Sequence, residues 1–316
     1  MATMRKDSKQ ATKIEIASVQ GYHMGIWNES YVYQGYKSNK LFTSDRFIPL
    51  DDHFRRPDGV ALDGWGFEIE QECWGILNER ACADVLDKII FPLFPADLFK
   101  MQHDGSLGGS GYIGIECITQ VMKKSFIRNH YKDFKAMYEY FKAFKFSATR
   151  SGHCGMHVNI SNALFGKTRE KQVEAIRKLH YFINKNYSFA CKLLKRDENR
   201  TDYCGRMSYS NARTMDIAGG DHYVCMNYSH FNSGRIELRL VGGQKDYYTF
   251  RNTCETVFFL VDRVRTAKWE DLDDIAEFFK GCNQYVYKRL ADCGLDMNTL
   301  ATINSNIKYD DFELES

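Results

Sequence analysis

The sequence predicts an α+β protein built on an antiparallel sheet, and two patterns carry that expectation. Four short segments alternate strictly between apolar and polar residues, the period of a half-buried strand. Longer stretches repeat apolar residues every three or four positions, the period of a helix lying on a core. With 316 residues, 44% of them hydrophobic and 14% aromatic, the chain has ample material for that core. No repeat, charge block or Pro- or Ser-rich linker divides it, so one continuous core is expected.

Taken in order, residues 1–65 give only weak β-like pieces (Ile14 to Val19, Tyr31 to Tyr36) and turn material from Arg55 to Gly59. They read as an N-terminal arm or extension, or as an oligomer contact, ahead of one domain spanning residues 66–316. The stretch GFEIEQ predicts a first strand, followed by a helix from about Glu79 to Ile90 that stops before Pro92. The glycine-rich HDGSLGGSG predicts a turn into a second strand, Tyr112 to Val121. The next helix carries Phe134, Met137, Tyr138, Phe141 and Phe144 on one face. GMHVNIS predicts a third strand, and Lys167 to Leu194 one long helix with Val173, Ile176, Leu179 and Ile183 inward. Lys195 to Asp221 lacks periodicity and far exceeds the usual loop of about four to six residues. Val224 to Tyr228 and Arg235 to Val241 predict a hairpin, ahead of helices from Tyr248 to Thr266 and Asp271 to Lys280 and an acidic tail.

Forty-three Lys and Arg against 41 Asp and Glu leave a net charge of +2, so no global field draws the chain to nucleic acid or anionic lipid. A mean hydropathy of −0.47 and the absence of an apolar run of about 18 residues argue against a membrane span. The N-terminus has no apolar stretch of the kind a signal peptide needs, and the ten cysteines form no C-x-x-C pair. Both points favour a reducing cytoplasm and cysteines that act as small buried hydrophobes.

Splitting each strand into its faces exposes a shared feature. Glu68, Glu70 and Glu72 oppose Phe67 and Ile69; Gly114 and Glu116 oppose Ile113, Ile115 and Cys117. His153, Gly155, His157 and Asn159 oppose Met156, Val158 and Ile160; Arg235, Glu237 and Arg239 oppose Ile236, Leu238 and Leu240. A sheet with one face in water also alternates. Solvated faces, however, mix Lys, Thr, Ser and Gln, whereas these four carry Glu, His, Asn, Arg and Gly with no Lys. If they converge, four or five carboxylates sit beside two imidazoles, which calls for cations between the charges, magnesium or manganese by the carboxylate-rich donor set.

Other motifs weigh less. Gly109, Gly111 and Gly114 have G-x-G-x-x-G spacing, yet they lead into a strand where the dinucleotide fingerprint needs a helix. A loop contacting phosphate and a plain Asp-Gly turn both fit them. His153 and His157 on a strand lie roughly 13 Å apart and cannot chelate one ion. In the long loop Arg196, Arg200, Arg206 and Arg213 alternate with acids, which fits either a solvated surface or a lid whose arginines fork onto phosphate or carboxylate.

In order, GFEIE, HDGSL followed by GIECIT, CGMHVNIS and RIELRLVGG resemble the amidoligase family of carboxylate-amine ligases, over about Gly66 to Arg265. That family is related to the catalytic domains of glutamine synthetase and glutamate-cysteine ligase. The resemblance implies a curved antiparallel sheet with ATP and Mg2+ or Mn2+ on its concave face and helices on the other. It implies Glu68, Glu70, Glu116, His157 and Glu237 as metal ligands and Arg239 facing the transferred phosphoryl group. It makes Asp104, Gly105 and Ser106 the family's D-G-S turn and Asn227 a polar neighbour of the E-x-R strand. The loop arginines Arg200 and Arg206 are then cofactor-binding residues, and an amidotransferase is a candidate partner. Two departures stand out: Asn159 occupies a position where relatives often carry a second histidine, and His153 is extra. A metal-dependent hydrolase without ATP, and a non-catalytic scaffold, are the competing classes.

Overall fold

In the computed structural model, residues 47–48 and 63–307 are described, apart from 75–81, 83–84, 95–97, 110–111, 150–151, 201, 218–222 and 306. The β-like pieces at 14–19 and 31–36, the turn at 55–59, the start of the helix expected from 79 and the acidic tail from 308 lie outside the described residues.

Alternating segments become strands of one open antiparallel sheet. Its members are β1 (Phe47–Ile48), β2 (Trp65–Trp74), β3 (Phe99–Gly109), β4 (Tyr112–Thr119), β5 (Val121–Met122), β6 (Phe146–Ser147), β7 (Met156–Ser161), β8 (Met226–Asn227) and β9 (Arg235–Leu238). The path runs β1-β5-β2-β7-β9-β8, with β4 also on β2 and β3 outside β4. Strand β2 holds the sheet together, because Trp65 to Ile69 pair with β7 while Glu68 to Trp74 pair with β4. β1 comes from the expected arm and joins the edge through Val121 and Met122.

Periodic stretches become α1 (Lys124–Asn129), α2 (Tyr131–Ala143), α3 (Arg169–Lys185), α4 (Tyr187–Leu193), α5 (Tyr247–Thr266), α6 (Ile275–Phe279), α7 (Gln284–Ala291) and α8 (Met297–Asn304). The central helix α5 starts where Asp246 accepts a hydrogen bond from the Thr249 N–H at 2.7 Å, and its last turn holds Arg263 and Arg265 beside the exposed carbonyls. Its buried stripe, including Phe250, Cys254, Val257, Phe258 and Val261, covers the apolar face of the sheet. The Phe250 ring lies 5.7 Å from Phe67 and 4.7 Å from Phe134 of α2, and Phe258 lies 4.6 Å from Trp65. Each such aromatic contributes about 1.5–3 kcal/mol of burial. One face of each central strand is thereby sealed under helices, and the polar side chains are left to the other.

Several expectations need correcting. A π-type turn (Leu86–Ile90) runs on into a 3-10 turn (Phe91–Leu93), so the helical path passes through Pro92. Pro92 occupies the first turn of the new element, where a missing N–H costs nothing. Of the glycine-rich segment, 110–111, between the paired Gly109 and Tyr112, lie outside the described residues, while residues 103–109 belong to β3, with a register shift between His103 and Gly108. Gly114 makes room there, since a side chain on it would overlap Leu107. The long helix breaks at Asn186 into α3 and α4. The last helix predicted, from Asp271 to Lys280, is a 3-10 turn (Glu270–Asp273) followed by α6. α7 and α8, to which no sequence expectation was attached, follow it.

All ten cysteines are buried thiols. Burial pushes those of Cys225 and Cys282 up to about 12, so they pack and do not act as thiolates. Among the described residues no helix is long and apolar enough to cross a membrane.

Candidate functional site

The register of the sheet decides which polar side chains meet. Glu70 stands opposite Glu116 across β2 and β4, Glu68 opposite His157 across β2 and β7, and Glu237 opposite both Asn159 and Asn227 on its two neighbours. Because residues directly opposite share a face, four strands deliver their carboxylates and one imidazole to a single patch.

His157 is at its centre. Its Nδ1 lies 3.1 Å from Glu68 Oε2 and 3.5 Å from Glu237 Oε1, and its Nε2 lies 3.4 Å from Glu70 Oε1. Glu68 accepts a further hydrogen bond from the Asn159 amide at 2.7 Å, and Glu70 one from the Gly155 N–H. Glu237 is held by Arg239 Nη1 at 2.5 Å and by the Asn227 amide at 3.1 Å. Arg239 itself is buried and also donates from Nε to the Tyr203 carbonyl at 3.4 Å.

The electrostatics follow from this crowding. Burial works to raise the Glu68 carboxyl, but the hydrogen bond and charge of His157, the Asn159 amide and the Arg235 guanidinium outweigh it and hold it at about 2. Burial would likewise strip the proton from His157. The charge of Glu70 and the bond and charge of Glu68 overcome that and Arg239's opposition, so the ring keeps its proton above the ordinary histidine value.

Two carboxylate–imidazole triads share this ring: Glu68, His157 and Glu237, and Glu70, Glu116 and His157, with each triad's ligand atoms within 4.8 Å of one another. Ligands on opposite sides of an ion with bonds of about 2.1–2.4 Å are roughly 4.2–4.8 Å apart, so both triads fit a hard divalent cation without rearranging the strands. The donor set, oxygen-rich with one nitrogen, suits Mg2+ or Mn2+. Asn159 adds support, since its Oδ1 is buried and meets no hydrogen-bond donor among the described residues. A carboxyl oxygen count alone would not single out this patch. Glu255 is as deeply buried, yet it is fully engaged by Arg128 at 2.6 and 2.9 Å, Tyr131 at 2.7 Å and Asn283 at 3.0 Å, a closed network with no need of an ion.

Other expected site residues stand apart. Asp104, Gly105 and Ser106 fall within β3 at its register shift, and their side chains lie outside the described residues. Arg200 lines a cavity with Arg196 and Gly152. Arg206 is not brought to the patch: its Nε donates to the Asn184 carbonyl at 2.9 Å and its guanidinium lies 5.4 Å over the Tyr209 ring.

The long loop is stitched to α3 by Arg177 on Met215, His180 on Ser208 and the Met207 N–H on Asn184. These bonds tie its 207–215 stretch to α3. Arg196 was not separable in the sequence from the other loop arginines. The glycines that mark it are Gly242, where a side chain would overlap the Lys195 carbonyl, and Gly155, where one would come 2.5 Å from Arg196 Nη2. No family model matches the chain, and no curated protein matches it.

Proposed function

We propose that the chain is an ATP-dependent carboxylate-amine ligase with a glutamine-synthetase-like catalytic sheet, working through an acyl phosphate. The observation that carries this is the meeting of Glu68, Glu70, Glu116, Glu237 and His157, from four strands, around one buried ring with Arg239 alongside. Joining a carboxylate to an amine is uphill in water, so the carboxylate oxygen first attacks the γ-phosphorus of ATP and ADP leaves. The amine nitrogen then attacks the acyl carbon and phosphate leaves. Both steps are problems of position and of charge on phosphoryl oxygens.

Glu68, Glu237 and His157 would hold one divalent ion and Glu70 with Glu116 a second. When bound, these ions neutralise phosphoryl oxygens of the nucleotide. Of the five N–H donors of Arg239, two are engaged by Glu237 and Tyr203. The others have no acceptor among the described residues and would serve an anionic oxygen, and the two bonds hold the guanidinium in place without reorganisation. Asn227 and Asn159 orient Glu237 and Glu68, the role that polar neighbours of metal ligands commonly fill.

A metal-dependent hydrolase could use the same carboxylates. The buried guanidinium beside Glu237 and the basic cavity next to Glu70 favour handling of phosphoryl groups. The deciding experiment is incubation of the purified chain with ATP, Mg2+ and pooled carboxylates and amines, followed by mass spectrometry and ADP assay. Condensation product with matching ADP release is expected. Hydrolysis of added amides or esters without nucleotide would replace the ligase reading with the hydrolase one.

A further inference from the structure

Gly155 lies between the carboxylate patch and Arg196, whose guanidinium lines a neighbouring cavity. A side chain there would come 2.5 Å from Arg196 Nη2 and 3.4 Å from Glu70 Oε2, so the two charged groups flank one glycine. Three residues earlier, Gly152 has a φ of +77°, and a side chain on it would overlap the Arg200 guanidinium. Two glycines therefore let two guanidiniums lie flat against the chain that leads into β7. The space they border measures about 260 Å³ and adjoins a second of about 300 Å³ that reaches His153 and Asp202.

Arg196 is fixed by Nη2, which donates to the carbonyls of Val241 at 2.8 Å and Arg239 at 3.2 Å. Its Nε–H is buried and meets no acceptor among the described residues. An unmet buried donor is destabilising until an acceptor reaches it, and on a guanidinium the fitting acceptor is an oxyanion. Lys195 also lines the space. Lys195 pairs with Asp292 at 3.5 Å and Asp197 sits 3.9 Å from Arg200 while accepting the Asn199 N–H at 3.0 Å, so the guanidinium of Arg196 is the cation this cavity adds to those pairs.

We propose that this cavity is an oxyanion site that grips a carboxylate or phosphate group of the ligand through Arg196 and Arg200. Anion binding stands on the cavity alone. Its use as the anchor for the anionic end of a substrate whose reacting group lies at the patch beside Glu70 rests on the ligase reading.

The test is calorimetric titration of the full chain, free of metal and nucleotide, with glutarate and separately with inorganic phosphate. Saturable binding of at least one is expected, weakened roughly tenfold or more in Arg200→Gln and in Arg196→Lys, which keeps the charge but loses the fork. The Arg200 side chain is half exposed, so its variant should melt with the parent. Preference for glutarate assigns the site to a substrate carboxylate, and preference for phosphate to a phosphoryl group. No saturable binding of either anion, or parental affinity in both variants, would overturn the proposal. Titration of the same preparations with Mn2+ keeps the two readings apart: anion binding without a Mn2+ site would remove the ligase reading and retain this one.

Discussion

Replacing Glu68 with Gln is the most informative single change, because it removes a charge that the fold itself holds in place. A carboxyl moved from 4.5 to about 2 has its charged form favoured by about 3 kcal/mol in the folded state. Part of that belongs jointly to His157, so Glu68→Gln is expected to lower the stability of the metal-free protein by about 1–3 kcal/mol. The sign depends on pH in a defined way. Glu68 is depressed, so its contribution is present above about 4.5 and is lost as pH falls toward 2. His157 is raised, so its contribution is present below about 6.5 and is lost as pH climbs through its folded value. The difference between parent and variant should therefore peak between those limits and shrink on both sides. Urea unfolding of both proteins at about pH 3, 5.5 and 9 measures it. A variant as stable as the parent at the middle pH would show that Glu68 is a repelled carboxylate rather than a paired one, and the electrostatic account of the patch would fail.

Mn2+ at a hundredfold excess over its dissociation constant should stabilise the parent by about 2.7 kcal/mol in thermal melts and stabilise Glu237→Gln much less; equal shifts would count against the triads. Binding should also weaken as pH drops below the raised His157 value, since a protonated ring has no lone pair to give. Arg239→Met leaves the buried Glu237 beside His157 without its guanidinium and should cost about 3–5 kcal/mol in urea unfolding. In the proposed ligase Arg239→Lys should lower kcat by about 10³ with little change in KM for ATP; a change in KM alone would assign it to nucleotide binding. Limited proteolysis should spare residues 204–215, where Asn184, His180 and Arg177 tie the loop to α3, and early cutting there would restore the free-lid description.

How much was legible depended on whether a residue's role is set by its neighbours along the chain or across space. Strand alternation made the polar faces of β2, β4, β7 and β9 readable, and each of Glu68, Glu70, Glu116, His157 and Glu237 falls in the patch that alternation predicted. Alternation gives a face but not a register, so the sharing of His157 between two triads could not be foreseen. Asn159 looked like a lost ligand, yet the pairing of β7 with β2 turns it into the hydrogen-bond donor that steadies Glu68. The glycine-rich segment read as a turn because glycine clusters usually mark one. Residues 103–109 are instead strand, and opposite them Gly114 of β4 lacks the side chain that would overlap Leu107. Arg196 and Arg206 were indistinguishable by composition, and their spatial contacts, with Gly155 and with Asn184, separate the one beside the patch from the one bound to α3.

The shared ring has a consequence for how the patch can fill. A neutral imidazole carries a single lone pair, on Nδ1 or on Nε2, and presents N–H at the other nitrogen. In the proposed metal site, a first cation bound through that lone pair would fix the tautomer and leave the neighbouring triad facing a donor where it would need an acceptor. The two halves of the patch are thus inequivalent from the first binding event onward. One ion would be anchored by nitrogen and oxygen, whereas the other would be held by carboxylates alone, with more of its shell open to incoming oxygens. In the proposed site a single histidine would thus set a tightly anchored ion apart from a more exchangeable one, a distinction that a purely carboxylate patch would lack.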